Sequence, residues 1–157
     1  RAVKFFGAWD ASGRNFGVIL PTNEPGSDDI MAASNKLPTD RFRILPSMRF
    51  SHFSELMKNA ACIVGNSSAG VREAPFLSIP SLDVGTRQNA RAQSASITSA
   101  RAEERDRILA FLERDWGKRY PANDDFGQGS ASERFVEIMG QEAFWQAKLQ
   151  KAFVDHA

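Results

Sequence analysis

The chain has 157 residues, 42% of them hydrophobic and 25% charged, the proportions of a single soluble domain able to bury a core. Its net charge of +1 gives no electrostatic reason to expect nucleic acid or an anionic membrane as a partner, and no apolar run reaches the roughly 20 residues that span a bilayer. One cysteine excludes an internal disulfide and argues against a Cys-based metal site, and a cytoplasmic location is expected.

From the N-terminus, Arg1-Ala2-Val3-Lys4-Phe5-Phe6 has neither an initiator Met nor a signal-peptide pattern and reads as the middle of an amphipathic helix. We expect the chain to be a piece of something longer. Phe16 to Leu20 is a short apolar run stopped by Pro21, a buried strand. Ser27 to Lys36 reads as a helix with Ile30, Met31 and Ala33 on its apolar side. Phe42 to Leu45 is the next strand, ended by Pro46. Phe53, Leu56, Met57 and Ala60 recur at helical spacing within a helix over Phe50 to Asn59. Ala61-Cys62-Ile63-Val64 is apolar on both faces, the pattern of a central parallel strand.

A Gly/Ser loop follows, then a short helix from about Gly70 to Leu77 and a strand Ser81 to Val84 opened by Pro80. Ser96-Ile97-Thr98 is the candidate for the last strand, and Arg101 to Asp115 is a charged helix with Ile108, Leu109, Phe111 and Leu112 inward. Residues 116–131, rich in Gly, Pro, Asn and Ser, read as loop. Helices over Ser132 to Met139 and Gln141 to about Val154 complete the chain. The alternation predicts βαβ units, a parallel sheet and a Rossmann-like α/β/α fold. Residues 1–139 form its main domain and 140–157 a helical tail.

In an open α/β sheet, ligands sit beyond the carboxyl ends of the strands. Gly65-Asn66-Ser67-Ser68-Ala69-Gly70 is a small, polar loop at such an end. Its amides and the hydroxyls of Ser67 and Ser68 suit phosphate oxygens. It is neither a Walker loop nor the dinucleotide Gly-x-Gly-x-x-Gly. A second reading stays open, in which Asn66 or Ser67 does no more than cap a helix. Glu73, in the first turn, could accept hydrogen bonds from a ribose diol or simply be a first-turn acid favoured by the helix dipole.

Arg87, within Thr86-Arg87-Gln88-Asn89-Ala90-Arg91 after the next strand, offers a guanidinium that could neutralise phosphate or be an ordinary exposed loop cation. Amides and hydroxyls at one strand end and a cation at its neighbour suit two negative phosphates. His52 and His156 lack metal-ligand spacing and read as structural or solvent-exposed. Cys62 reads as a small core residue. Trp9, Trp116 and Trp145 could each be core or interface anchors.

These segments, with Gly85-Thr86-Arg87-Gln88 and Arg91, Pro21 with Gly26-Ser27, Gly117-Lys118-Arg119-Tyr120-Pro121 and Phe126-Gly127-Gln128-Gly129-Ser130-Ala131, resemble the UDP-N-acetylglucosamine 2-epimerases in order and spacing. The Asn-Ser-Ser form is similar to the hydrolysing branch, which makes N-acetylmannosamine. The resemblance implies the second half of a GT-B-type fold, with a UDP-sugar bound between this half and an N-terminal domain outside the chain. It implies no cofactor and no metal, and the enzyme is expected to be a homo-oligomer. Carried over, Ser67 and Ser68 hold the diphosphate, Glu73 the ribose hydroxyls, Arg87 lies beside the nucleotide, and the Met48 backbone lies near the uracil.

The family's His-Pro motif and the acidic residues of its other domain are absent, so no catalytic residue is expected in this chain. Pro46, Ser47 and Asp28 stand where feedback-inhibited animal members carry basic residues, and no inhibition by a CMP-sialic acid is expected. Two rival readings remain: the donor-binding half of a GT-B glycosyltransferase, and a non-catalytic UDP-binding module.

Overall fold

Proline and glycine punctuate the chain into short strands and helices, and the strands pair in parallel. The computed structural model describes residues 2–21 and 26–146. They divide between two compact units, Arg1–Asn123 and Asp124–Ala157.

The first unit runs α1 (Ala2–Ala11), β1 (Phe16–Ile19), α2 (Ser27–Ser34), β2 (Phe42–Leu45), α3 (Phe50–Lys58), β3 (Ile63–Gly65), a 3-10 turn (Ser68–Gly70), α4 (Glu73–Phe76), β4 (Ser81–Val84), β5 (Ile97–Ala100) and α5 (Arg105–Arg114). β1 and β2 form one parallel pair, with Phe16 opposite Phe42 and Ile19 opposite Leu45. β3, β4 and β5 form a parallel sheet in that order, with Gly65 opposite Asp83 and Asp83 opposite Ser99. Alternating helices and parallel strands make this the expected Rossmann-like α/β architecture.

The core explains why these runs became strands. Val18, Phe42, Leu82, Val84 and Ala100 are buried in one cluster with Phe6 and Trp9 of α1, Ala33 of α2, and Ile108, Phe111 and Leu112 of α5. Trp9 stacks on Phe16 at 5.3 Å between ring centroids, and Phe16 stacks on Phe42 at 5.4 Å. A second cluster joins Met57 of α3, Ala69, Ala74 of α4, and Ile79. Along β4 the side chains alternate. Leu82 and Val84 enter the first cluster, while Ser81 abuts Gly70, where an added Cβ would stand 2.7 Å from the Ser81 hydroxyl. Only glycine permits that close approach, which draws the turn after β3 down onto β4.

Several boundaries differ from the sequence reading. The last strand extends to Ala100, and the charged helix starts at Arg105. The Arg101 amide donates instead to the Glu104 carboxylate at 2.6 Å, which holds residues 101–104 in a turn. The expected helix over Gly70 to Leu77 divides into the 3-10 turn and α4. Pro75 is tolerated there because it falls in the first turn of α4, where amides have no intrahelical partner.

Among the described residues β3 has only one paired edge, and its residues are half-buried; the fully buried middle strand of this sheet is β4. The Ile63 amide donates to Pro80 at 3.0 Å, so the neighbouring Val64 amide points away from β4. Likewise, Phe16 and Leu20 donate to Arg41 and Leu45 of the β2 segment, at 2.8 and 3.1 Å, which turns the Gly17 and Ile19 amides away from β2.

The second unit contains α6 (Ala131–Met139) and α7 (Glu142–Trp145). Trp145 is 65% exposed and donates its indole N–H to the Met139 carbonyl at 2.8 Å. The rest of the expected tail helix, with Leu149 and Phe153, and His156 lie outside the described residues. Of the other tryptophans, Trp9 is core and Trp116 packs against the core edge-on to Phe16.

Candidate functional site

β3 and β4 are parallel neighbours, so the loops that leave their carboxyl ends emerge side by side. After Gly65 the chain turns into Asn66-Ser67 and the 3-10 turn. The Ser67 hydroxyl accepts from the Ala69 amide at 3.3 Å, so Ser67 does cap this turn. The Gly70 amide donates to the Ser67 carbonyl at 3.1 Å, and the Val71 and Arg72 amides to the Ser68 carbonyl at 3.0 and 2.9 Å. None of these bonds uses the amides of Ser67 and Ser68 or the Ser68 hydroxyl, which remain as donors at the loop.

Beyond β4 the chain turns at Gly85, with φ of +115°, and runs through Thr86 to Arg91, with Ala90 at φ of +59°. Gln88 is 3% exposed. Its Nε2 donates to the Asn66 carbonyl at 2.8 Å, and its Oε1 accepts from Nη1 of Arg91 at 3.4 Å. A buried side-chain amide satisfied at both ends thus joins the two loops. Sequence reasoning named Gln88 as part of a motif and gave it no role, because a glutamine in a polar loop carries no local sign of burial.

Arg87 is exposed in this second loop. Glu73 is the first residue of α4, and its Oε2 is buried with no hydrogen-bond partner. Met48 stands apart, between β2 and α3 on the other sheet, where it lines an open groove of about 970 Å³ with Arg43, Leu45, His52 and Leu56. The structure therefore gathers the Ser67–Ser68 and Arg87 loops at one sheet edge, with Glu73 following the first loop. Met48 lies at the end of a different strand pair.

Two further side chains were missed. Asp83, opposite Gly65 in register, is 3% exposed with Oδ1 unpartnered, and burial raises its carboxyl above the usual range. Asp115 is buried at the end of α5 and accepts a hydrogen bond from the Tyr120 hydroxyl at 2.7 Å. Both acids sit in segments whose sequences read as an ordinary strand and a helix end.

Among the described residues no group of three or more His, Cys, Asp or Glu could hold a metal ion. Cys62 packs against the core, and burial pushes its thiol up to about 12, with Arg14 opposing and Asp115 adding to the rise. The thiolate is the reactive form, so at pH 7.5 Cys62 should be alkylated on the order of a thousandfold more slowly than an exposed cysteine. Iodoacetamide labelling followed by mass measurement checks this, and labelling at the rate of free cysteine would contradict the packing described.

The sequence profile of the family UDP-N-acetylglucosamine 2-epimerase matches residues 1–140. The UDP-N-acetylglucosamine 2-epimerase of Neisseria meningitidis serogroup B is 38% identical over 157 residues, covering 98% of this chain and 42% of the relative. The polysialic acid biosynthesis protein P7 of Escherichia coli is 33% identical over 104 residues, which is 66% of this chain and 26% of that protein. The GDP/UDP-N,N'-diacetylbacillosamine 2-epimerase (hydrolyzing) of Campylobacter jejuni is 30% identical over 71 residues, or 45% of this chain and 18% of its own length. The chain thus spans less than half the length of the curated relatives it matches.

Proposed function

The chain belongs to the UDP-N-acetylglucosamine 2-epimerase family, and we propose that it is the UDP-binding half of a hydrolysing enzyme that converts UDP-N-acetylglucosamine and water to N-acetylmannosamine and UDP. The observation that carries this reading is the buried Gln88 amide, which holds the Ser67–Ser68 loop against the loop bearing Arg87. Hydroxyl and amide donors then face the same diphosphate as a guanidinium. Glu73, with its unpartnered oxygen, takes the ribose hydroxyls, and Met48 lies near the uracil. Residues 1–139 act as the nucleotide domain and residues 140–157 as a tail, in a cytoplasmic homo-oligomer.

The reaction begins with removal of the proton at C2 of the sugar. Electrons of that C–H bond form a C1–C2 double bond while the C1–O bond breaks and UDP leaves. Water then adds its oxygen to C1, and a proton returns to the opposite face of C2, giving the free epimerised sugar. Negative charge grows on the diphosphate as C1–O breaks, so contacts there stabilise the transition state more than the ground state. The groups that move the proton belong to an N-terminal domain. Among the described residues, β1 and β3 each have an unpaired backbone edge, which supports a further strand of this half from a part of the protein outside the chain.

Calorimetric titration tests the reading. UDP should bind, and Glu73→Gln should weaken UDP roughly three- to tenfold while leaving inorganic pyrophosphate unaffected, because a neutral amide is a poorer acceptor for the ribose diol. Absence of UDP binding, or equal loss of UDP and pyrophosphate, would sink the assignment.

A further inference from the structure

We infer that Gln88 is the positioning residue that couples the two phosphate-facing loops, so that it governs nucleotide affinity without touching the nucleotide. The inference rests on the diphosphate reading of those loops and adds to it how they are kept in register.

Gln88 is 3% exposed, and burying an uncharged amide is favourable only when both of its ends find partners. Here both do, and both partners belong to the candidate site. Nε2 reaches back 22 residues to the Asn66 carbonyl at 2.8 Å, and Oε1 receives Nη1 of Arg91 at 3.4 Å. The Asn66 carbonyl belongs to the peptide unit whose N–H is the Ser67 amide. Fixing that carbonyl therefore fixes the direction of the first loop donor and the start of the turn that carries Ser68.

The main chain of Gln88 works on the second loop. Its carbonyl accepts from the Arg91 amide at 3.2 Å, and the Asn89 amide folds back on the Thr86 carbonyl at 3.3 Å. Ala90 adopts φ of +59° within this turn, a conformation an alanine keeps only where its surroundings impose it. Arg87 is the residue immediately before the strut. Removing the Gln88 side chain therefore loosens the Asn66 loop and the Arg91 side chain together, while Ser67, Ser68 and Arg87 all remain.

Preorganised donors bind a diphosphate with little ordering cost, and loosened ones must be ordered by the ligand. Gln88→Ala should therefore weaken UDP about tenfold or more, the range seen when an outer partner of a binding group is removed. Gln88→Asn, one methylene shorter, should behave like the alanine variant. Gln88→Glu retains an acceptor for Arg91 and loses the donor to Asn66, so it separates the two arms.

The experiment combines amide hydrogen exchange, without nucleotide, with UDP titration of the full-length protein. In Gln88→Ala and Gln88→Glu, exchange at Ala69 and Gly70 should rise while exchange in β4 and α5 stays as in the wild type. Combining Gln88→Ala with Ser68→Ala should cost less affinity than the two single losses multiplied, since both act through one loop. Unchanged exchange at Ala69 and Gly70 would overturn the strut. So would raised exchange with unchanged UDP affinity. If the wild type fails to bind UDP while the variants still raise exchange, the failure lies with the diphosphate reading, and the nucleotide part of this inference falls with it.

Discussion

Asp115→Ala should destabilise the fold by about 2–4 kcal/mol, measured by chemical denaturation at pH 7. Asp115 caps α5 and is 1% exposed. Oδ1 accepts from the Tyr120 hydroxyl at 2.7 Å, and Oδ2 accepts from Nε of Arg114 at 2.9 Å. Arg114 also reaches Thr98 of β5 at 3.1 Å, and Lys118 stands 3.6 Å from Oδ1. The cations are exposed, so water screens most of their attraction, and the larger part of the loss comes from the Tyr120 hydroxyl and the vacated space.

The consequence reaches beyond α5. Just after Asp115 the Gly117 amide donates to Ala61 at 3.2 Å, and the Tyr120 amide donates to Ser78 at 3.1 Å. One carboxylate thus anchors the segment that braces the entry to β3 and the end of α4.

Protonation should have a similar effect. Burial pushes the Asp115 carboxyl up, but hydrogen bonds from Arg114 and Tyr120, with the charges of Arg114 and Lys118, bring it below the usual carboxylate range. A carboxyl lowered on folding contributes stability that is fully present above its unfolded value near 4 and is lost as pH falls through the lower folded value. Wild-type stability should therefore fall more steeply than that of Asp115→Asn below about pH 4. Parallel acid profiles for the two proteins would contradict this account.

Arg87→Ala should weaken UDP by about 10- to 100-fold, the equivalent of a charge-assisted hydrogen bond to phosphate. Ser68→Ala, which removes one neutral donor, should cost roughly fivefold. Arg87 is exposed, so its contribution should shrink as salt rises from about 0.05 to 0.5 M. Arg87→Lys should recover only part of the affinity, because an ammonium lacks the planar fork that meets two phosphate oxygens. Binding of UDP by Arg87→Ala within twofold of wild type at low salt would remove Arg87 from the site.

Much of the architecture was legible without coordinates. β1 is an apolar run stopped by Pro21, β2 is ended by Pro46 and β4 is opened by Pro80, and all three form at the expected places. The last strand was shifted because Ser99 and Ala100 are small residues without strand character; they are held by pairing with β4. The pattern Ala61 to Val64 suggested a central strand, and among the described residues β3 is paired with β4 alone. Hydrophobicity reports that both faces are apolar and is silent about which edges are paired. Ser67 offered two readings, and the structure shows the capping bond to the Ala69 amide.

Sequence alone determined the order of strands and helices and the position of two polar loops at strand ends. Those features follow from local rules, the period of apolar side chains and the backbone limits of proline and glycine. Tertiary structure decided that Asn66 and Gln88, 22 residues apart, are hydrogen-bonded, and that Gln88, Asp83 and Asp115 are buried. Burial and hydrogen bonding are properties of the whole packed chain, so a polar residue in a polar segment declares neither until its neighbours arrive. The candidate loops could therefore be found by pattern, while the amide that binds them together could be found only in the fold.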